Sequence, residues 1–144
     1  MQRSLKDKLK VTKCLDPDTV TATGAGAGVN NAGFGSLMFL VAVGATSGND
    51  FSGTHKLAIT MQDSDVDVDG SYANCVDADI HDAEDGANGI VKNLDATDDA
   101  DSVHVAHYRG NKKFARIKLV ETGTVSVPVS VVAVQGHSEL MPPL

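Results

Sequence analysis

The segment Asp63-Ser-Asp-Val-Asp-Val-Asp-Gly70 places carboxylates at alternate positions ahead of a glycine. Asp65, Asp67 and Asp69 followed by Gly70 match the opening of a calcium loop, where alternate oxygens converge because glycine permits the sharp turn. The closing ligand is missing: counted from Asp65, the twelfth position is Val76, whose side chain has no oxygen. No flanking helices are expected either, so the segment reads as an acidic strand-to-turn stretch. No metal and no cofactor are expected, with calcium held by a different loop drawing on Asp77, Asp79 or Asp82 the open alternative. Five histidines raise a second metal or general-base hypothesis. His104 and His107 are three apart in a predicted strand, so they point to opposite faces and cannot chelate one ion directly. His55, His81 and His137 are scattered among loops and strand starts, which favours structural roles. Serine is plentiful, yet there is no Gly-x-Ser-x-Gly elbow to expose a nucleophile. Gly24-Ala-Gly-Ala-Gly28 lacks the strand before and helix after that a dinucleotide fingerprint needs, and reads as a flexible loop. Cys14 and Cys75 match no metal or redox spacing; a disulfide and two buried thiols both stand open. No catalytic residues are assigned, and the chain is not expected to be an enzyme.

The elements that would hold these residues read as strands. Lys113–Glu121 and Thr124–Val134 both alternate with a period near two and are β-branched or charged rather than helix-forming, the pattern of strands with one buried and one wet face. Ser36–Gly44 is a continuous apolar run, expected as a central strand. Thr54–Gln62 alternates, with Leu57, Ile59 and Met61 on one face. Shorter strands are expected at Tyr72–Val76, Gly89–Leu94 and Ser102–Arg109, the last turning through Gly110-Asn111 as a hairpin into 113–121. Pro128 predicts an edge position or a bulge. Asp16-Pro17-Asp18 reads as a turn before a short strand at 19–23. Seven or eight short strands with frequent turns point to an all-β, single-domain β-sandwich, jelly-roll-like, over residues 1–144. Residues 1–18 are expected as an extended basic N-terminal arm, with a short helix through Leu5 and Leu9 the open alternative, and 138–144 as a C-terminal tail.

Charge is spread unevenly around a net −7. Residues 1–20 carry five basic and three acidic side chains, residues 50–101 thirteen Asp and one Glu against two Lys, and residues 102–121 five basic against Glu121. The acidic middle would repel phosphates, so nucleic acid is not an expected partner. Only 4% of residues are aromatic and none is Trp, which argues against stacking platforms for sugars or single strands. The longest apolar run, Leu37–Val43, is too short to span a bilayer, and the N-terminal ten residues lack a signal-peptide core. No membrane association is expected; the chain is expected to be soluble and made in the cytosol. Arg116 and Lys118 share a strand face with Phe114, and an aromatic tucked under lysine stems is favoured there over a partner-binding surface.

Val29-Asn-Asn-Ala-Gly-Phe-Gly-Ser-Leu-Met-Phe-Leu-Val-Ala-Val-Gly44 is followed by Leu57-x-Ile-x-Met-Gln-Asp-Ser-Asp65. Tyr108-Arg-Gly-Asn-Lys-Lys-Phe-Ala-Arg-Ile-Lys-Leu119 and a small-residue strand ending Val-Gln-Gly-His137 come later. This order resembles tailed-phage capsid decoration (cement) proteins over residues 29–137. The resemblance implies a structural virion protein, made in the host cytoplasm, that binds the outer capsid lattice and bridges major capsid subunits. It would sit there as a homo-trimer or cluster. On that reading Lys6, Lys8, Lys10 and Lys13 reach an acidic capsid surface. The strand order also resembles discoidin-like jelly-roll modules, which bind glycans or cell surfaces, although the absence of Trp and of aromatic loop tips departs from them.

Overall fold

The computed structural model describes residues 8–85 and 88–138. Within them lie eleven strands: β1 (Lys10–Val20), β2 (Gly24–Ala25), β3 (Val29–Asn30), β4 (Phe34–Val43), β5 (Lys56–Ser64), β6 (Ala73–Asn74), β7 (Ile80–His81), β8 (Ile90–Leu94), β9 (Ser102–Tyr108), β10 (Phe114–Thr122) and β11 (Val127–Ser138). One sheet runs β1-β11-β4-β9-β7. In the other, β10 lies beside β5, β2 and β3 flank β10, and β6 and β8 flank β5. Every pairing is antiparallel. With β2/β3 and β6/β8 each taken as one interrupted strand, consecutive strands form the two Greek keys of a jelly roll.

Alternation explains why the sheets face each other. On β4, Leu37, Phe39, Val41 and Val43 are buried, and on β11 Val127, Val129, Val131 and Ala133 are buried. They meet Leu57, Ile59 and Met61 of β5 and Ala115, Ile117 and Leu119 of β10 in one core. Removing one such side chain from water contributes about 1.5–3 kcal/mol, so two facing alternating stripes suffice to hold the layers together. The β4 run, read as a continuous apolar strand, is indeed central; its second face, however, stays partly exposed at Met38 and Leu40.

Four local expectations are corrected. First, the 102–109 and 113–121 strands do not form a hairpin: β9 and β10 lie in opposite sheets. The reason is local: the Lys112 N–H donates to the Tyr108 hydroxyl at 3.0 Å, and Arg109 N–H donates to the Asp79 carbonyl at 2.7 Å. Residues 109–112 therefore wrap the Tyr108 ring, and a Cβ on Gly110 would sit 2.5 Å from its hydroxyl oxygen. Second, Pro128 is neither on an edge nor in a bulge, since β11 lies between β1 and β4. The Gly44 N–H donates to the Pro128 carbonyl at 2.8 Å, and the Gly44 carbonyl, where a Pro128 N–H would have pointed, accepts from Asp101 N–H instead.

Third, Asp16-Pro17-Asp18 is not a turn between elements. It lies within β1, where the register against β11 shifts between Lys13 and Leu15 and again between Leu15 and Asp18. Fourth, the arm expected over 1–18 is, from Lys10 onward, a strand bonded along β11. Residues 1–7, with Lys6 and the helix considered through Leu5, and the tail beyond Ser138 lie outside the described residues. The expected 72–76 strand shortens to β6.

Candidate functional site

The outward face of the β1-β11-β4-β9-β7 sheet is built by the register of its strands. Val11, Val134, Met38 and His107 lie in one cross-strand row. Lys13, Val132, Leu40 and Val105 form the next, followed by Ser130, Ala42 and Val103. Along each strand these are the positions opposite the core, so the sheet is apolar on both sides. Val11 and Val103 are 64% and 62% exposed, and Val105 is 53% exposed. The single fixed charge in the rows is Lys13, and it is ion-paired with Asp16. Apolar side chains thus lie exposed or half-buried side by side across four neighbouring strands of this face.

The opposite sheet is closed on its outer side by the acidic segment. Arg116 on β10 is 8% exposed, where the sequence suggested an outward cation beside Phe114. Its Nε donates to Gln62 Oε1 at 2.9 Å, a terminal nitrogen donates to Asp69, and the guanidinium lies 4.1 Å from the Tyr72 ring centre. Tyr72 in turn donates its hydroxyl to Asp67 at 2.6 Å, and Lys112 Nζ reaches Asp65 at 2.6 Å. The Ser71 hydroxyl pins the loop from within, donating to the Val68 carbonyl at 2.6 Å with the Val66 carbonyl 2.9 Å away. Asp65, Asp67 and Asp69 are thus drawn to three separate partners. Among the described residues no group of three His, Cys, Asp or Glu side chains is placed to hold a metal ion.

Electrostatics follow these contacts. The hydrogen bond from Arg116, with its charge beside it, holds the Asp69 carboxyl below the usual carboxylate range. The Asp65 contact raises the Lys112 ammonium. Burial first, then the Asp67 hydrogen bond, pushes the Tyr72 phenol up. Burial likewise raises both thiols, and Cys14 and Cys75 are free and buried, not bonded to each other. Such thiols are poor nucleophiles. Phe114 is half-buried with Lys113 Nζ 5.4 Å from its ring centre, so it is indeed covered by a lysine.

The remaining sequence candidates separate. Of the lysines, Lys8 is exposed ahead of β1, Lys10 Nζ lies 5.8 Å from the Phe34 ring centre, and Lys13 is the ion-paired one. His104 bonds Ser102 at 2.7 Å on the inner side of β9, whereas His107 faces outward. His55 Nδ1 accepts from Thr124 N–H, and His137 bonds the Ser36 hydroxyl at 2.9 Å. His81 stands directly across from His107 on β7. That pair was invisible in the sequence, because it depends on which strands become neighbours.

Fold and site together define a two-Greek-key jelly roll with one apolar outer face and one capped by an acidic loop. No protein-family model matches the chain, and a search of the curated proteins finds no significantly similar sequence.

Proposed function

We propose that this chain is a structural virion protein that decorates the outer surface of a tailed-phage capsid. It stabilises the shell by bridging major capsid subunits, and it docks through the outer face of the β1-β11-β4-β9-β7 sheet. The observation that carries the reading is the row structure of Val11, Val103, Val105, Val132, Val134, Met38 and Leu40, a nearly uncharged apolar surface on a chain of net charge −7. Burying that face on a lattice removes apolar area from water, while the acidic loop stays turned to solvent. Lys8, just ahead of β1, and Lys10, its first residue, are exposed at one end of this sheet, where they add attraction to an acidic shell. A protein that binds the assembled lattice and not free subunits stabilises the lattice by mass action. Repetition over many sites then makes modest contacts collectively strong.

Gradient sedimentation of a native lysate, with mass spectrometry for this chain, tests the reading. Co-migration with capsid-sized particles at a fixed ratio to a major shell protein is expected. Val105→Asp, which places a charge on the exposed face, is expected to lower occupancy at least tenfold while leaving the thermal melt unchanged. Recovery of the wild-type chain only among small soluble species overturns the reading and favours a glycan-binding module.

A further inference from the structure

His81 and His107 are directly opposed on adjacent antiparallel strands, and both side chains are exposed on the outward face. Opposed residues of such a pair have Cβ atoms about 4.5–5.5 Å apart, which lets two imidazoles reach one ion. Their ring centres are 6.0 Å apart with the planes tilted by 33°. A metal–nitrogen bond of about 2.1 Å puts each ring centre about 3.2 Å from the ion, so two imidazoles on a tetrahedral ion have centres about 5 Å apart. The observed spacing therefore closes by roughly 1 Å, within the reach of a side-chain torsion on an exposed strand.

We propose that His81 and His107 form a two-histidine site for a divalent transition-metal ion such as Zn²⁺ or Cu²⁺. A second contact supports it. His81 Nε2 lies 3.1 Å from an Asp82 carboxylate oxygen, and Asp82 is held there by a backbone with φ of 54° just after β7. A neutral His81 that donates from Nε2 to Asp82 carries its lone pair on Nδ1, and a carboxylate in that position raises the basicity of a ligating imidazole. Imidazole donors select first-row transition metals over calcium and magnesium, which take oxygen ligands. Two protein ligands leave the other coordination positions to water or to a donor from whatever docks on this face. The site stands on the β7–β9 register alone and does not depend on the capsid reading.

The test is isothermal titration of the untagged full chain with CuCl2, NiCl2 and ZnCl2, with MgCl2 and CaCl2 as controls. One ion per chain is expected, tightest for Cu²⁺, with no heat from Mg²⁺ or Ca²⁺. His81→Gln and His107→Gln should each weaken Cu²⁺ and Zn²⁺ binding at least tenfold, and His104→Gln, on the inner side of β9, should not. Zn²⁺ should raise the Tm of the wild type and leave that of either outward variant unchanged, while matching melts of the metal-free proteins verify folding. Undiminished affinity in His107→Gln, or no binding of Cu²⁺ and Zn²⁺ by the wild type, overturns the site.

Discussion

The hydroxyl of Tyr108, at the end of β9 in one sheet, donates to Asp63 Oδ2 on β5 of the other at 3.0 Å. Both residues are buried, and the same hydroxyl oxygen accepts the Lys112 N–H as the chain crosses between the sheets. One phenol therefore ties the layers together and shapes the crossing. Tyr108→Phe keeps the ring and removes both bonds, leaving a buried carboxylate without that donor. We expect a loss of about 1–3 kcal/mol in urea denaturation with an unchanged m-value. A loss under about 0.5 kcal/mol would mean that water satisfies Asp63 equally well.

Arg116 is the keystone of the acidic segment, holding Gln62, Asp69 and the Tyr72 ring at once. Lysine cannot reproduce that planar fork. Arg116→Lys is expected to cost about 1–3 kcal/mol and to speed hydrogen exchange across 65–72, with β4 and β11 amides little changed. Equal exchange in that loop for both proteins would refute the role given to Arg116.

Acid should open the same loop. The folded-state value of Asp69 is lowered, so its contribution is complete above the unfolded value of about 3.9 and is lost as pH falls through the folded one. Tyrosine fluorescence, undisturbed because the chain has no Trp, should stay constant from pH 7 to about 4 and change below that. Asp69→Asn should abolish the acid step. A transition centred between pH 5 and 7 would point to another group.

Truncation separates the lysines from the fold. Removing residues 1–13 strips the pairs of Lys10, Val11, Thr12 and Lys13 with Gln135, Val134, Ala133 and Val132. At a few tenths to 1 kcal/mol for each cross-strand pair, we expect about 2 kcal/mol and a Tm lower by roughly 5 °C. Removing residues 1–7 keeps every one of those pairs, so it is the cut that tests Lys6 on capsid occupancy. An unchanged Tm after the longer deletion would show that β1 contributes little to the sandwich.

The class of fold was legible because period-two alternation is a local property. Leu57, Ile59 and Met61 on one face, or Val127, Val129 and Val131 on another, announce a strand with an apolar inward face without any partner in view, although that β5 is buried on its second face too was not legible. The opposition of His104 and His107 was legible for the same reason, since side chains three apart on a strand must diverge. Partnership was not. Gly110-Asn111 has the composition of a hairpin turn, yet the Tyr108 ring and its bond to Asp63 send the chain to the other sheet. Pro128 lies in an interior strand because Asp101, 27 residues earlier, occupies the Gly44 carbonyl.

The same division governs the candidate site. Val103 and Val105 announce their own alternation, but whether that face meets core, partner strand or solvent depends on the register of β4 and β11 beside them. Residue types and their spacing determined an all-β chain with an acidic middle. Only the tertiary structure decided that the acidic segment folds over the outer face of β10 and covers Arg116, that three aspartates diverge, and that His81 meets His107. Alternation is set by each strand's own backbone geometry, whereas neighbours are set by long-range pairing that no short stretch of sequence encodes.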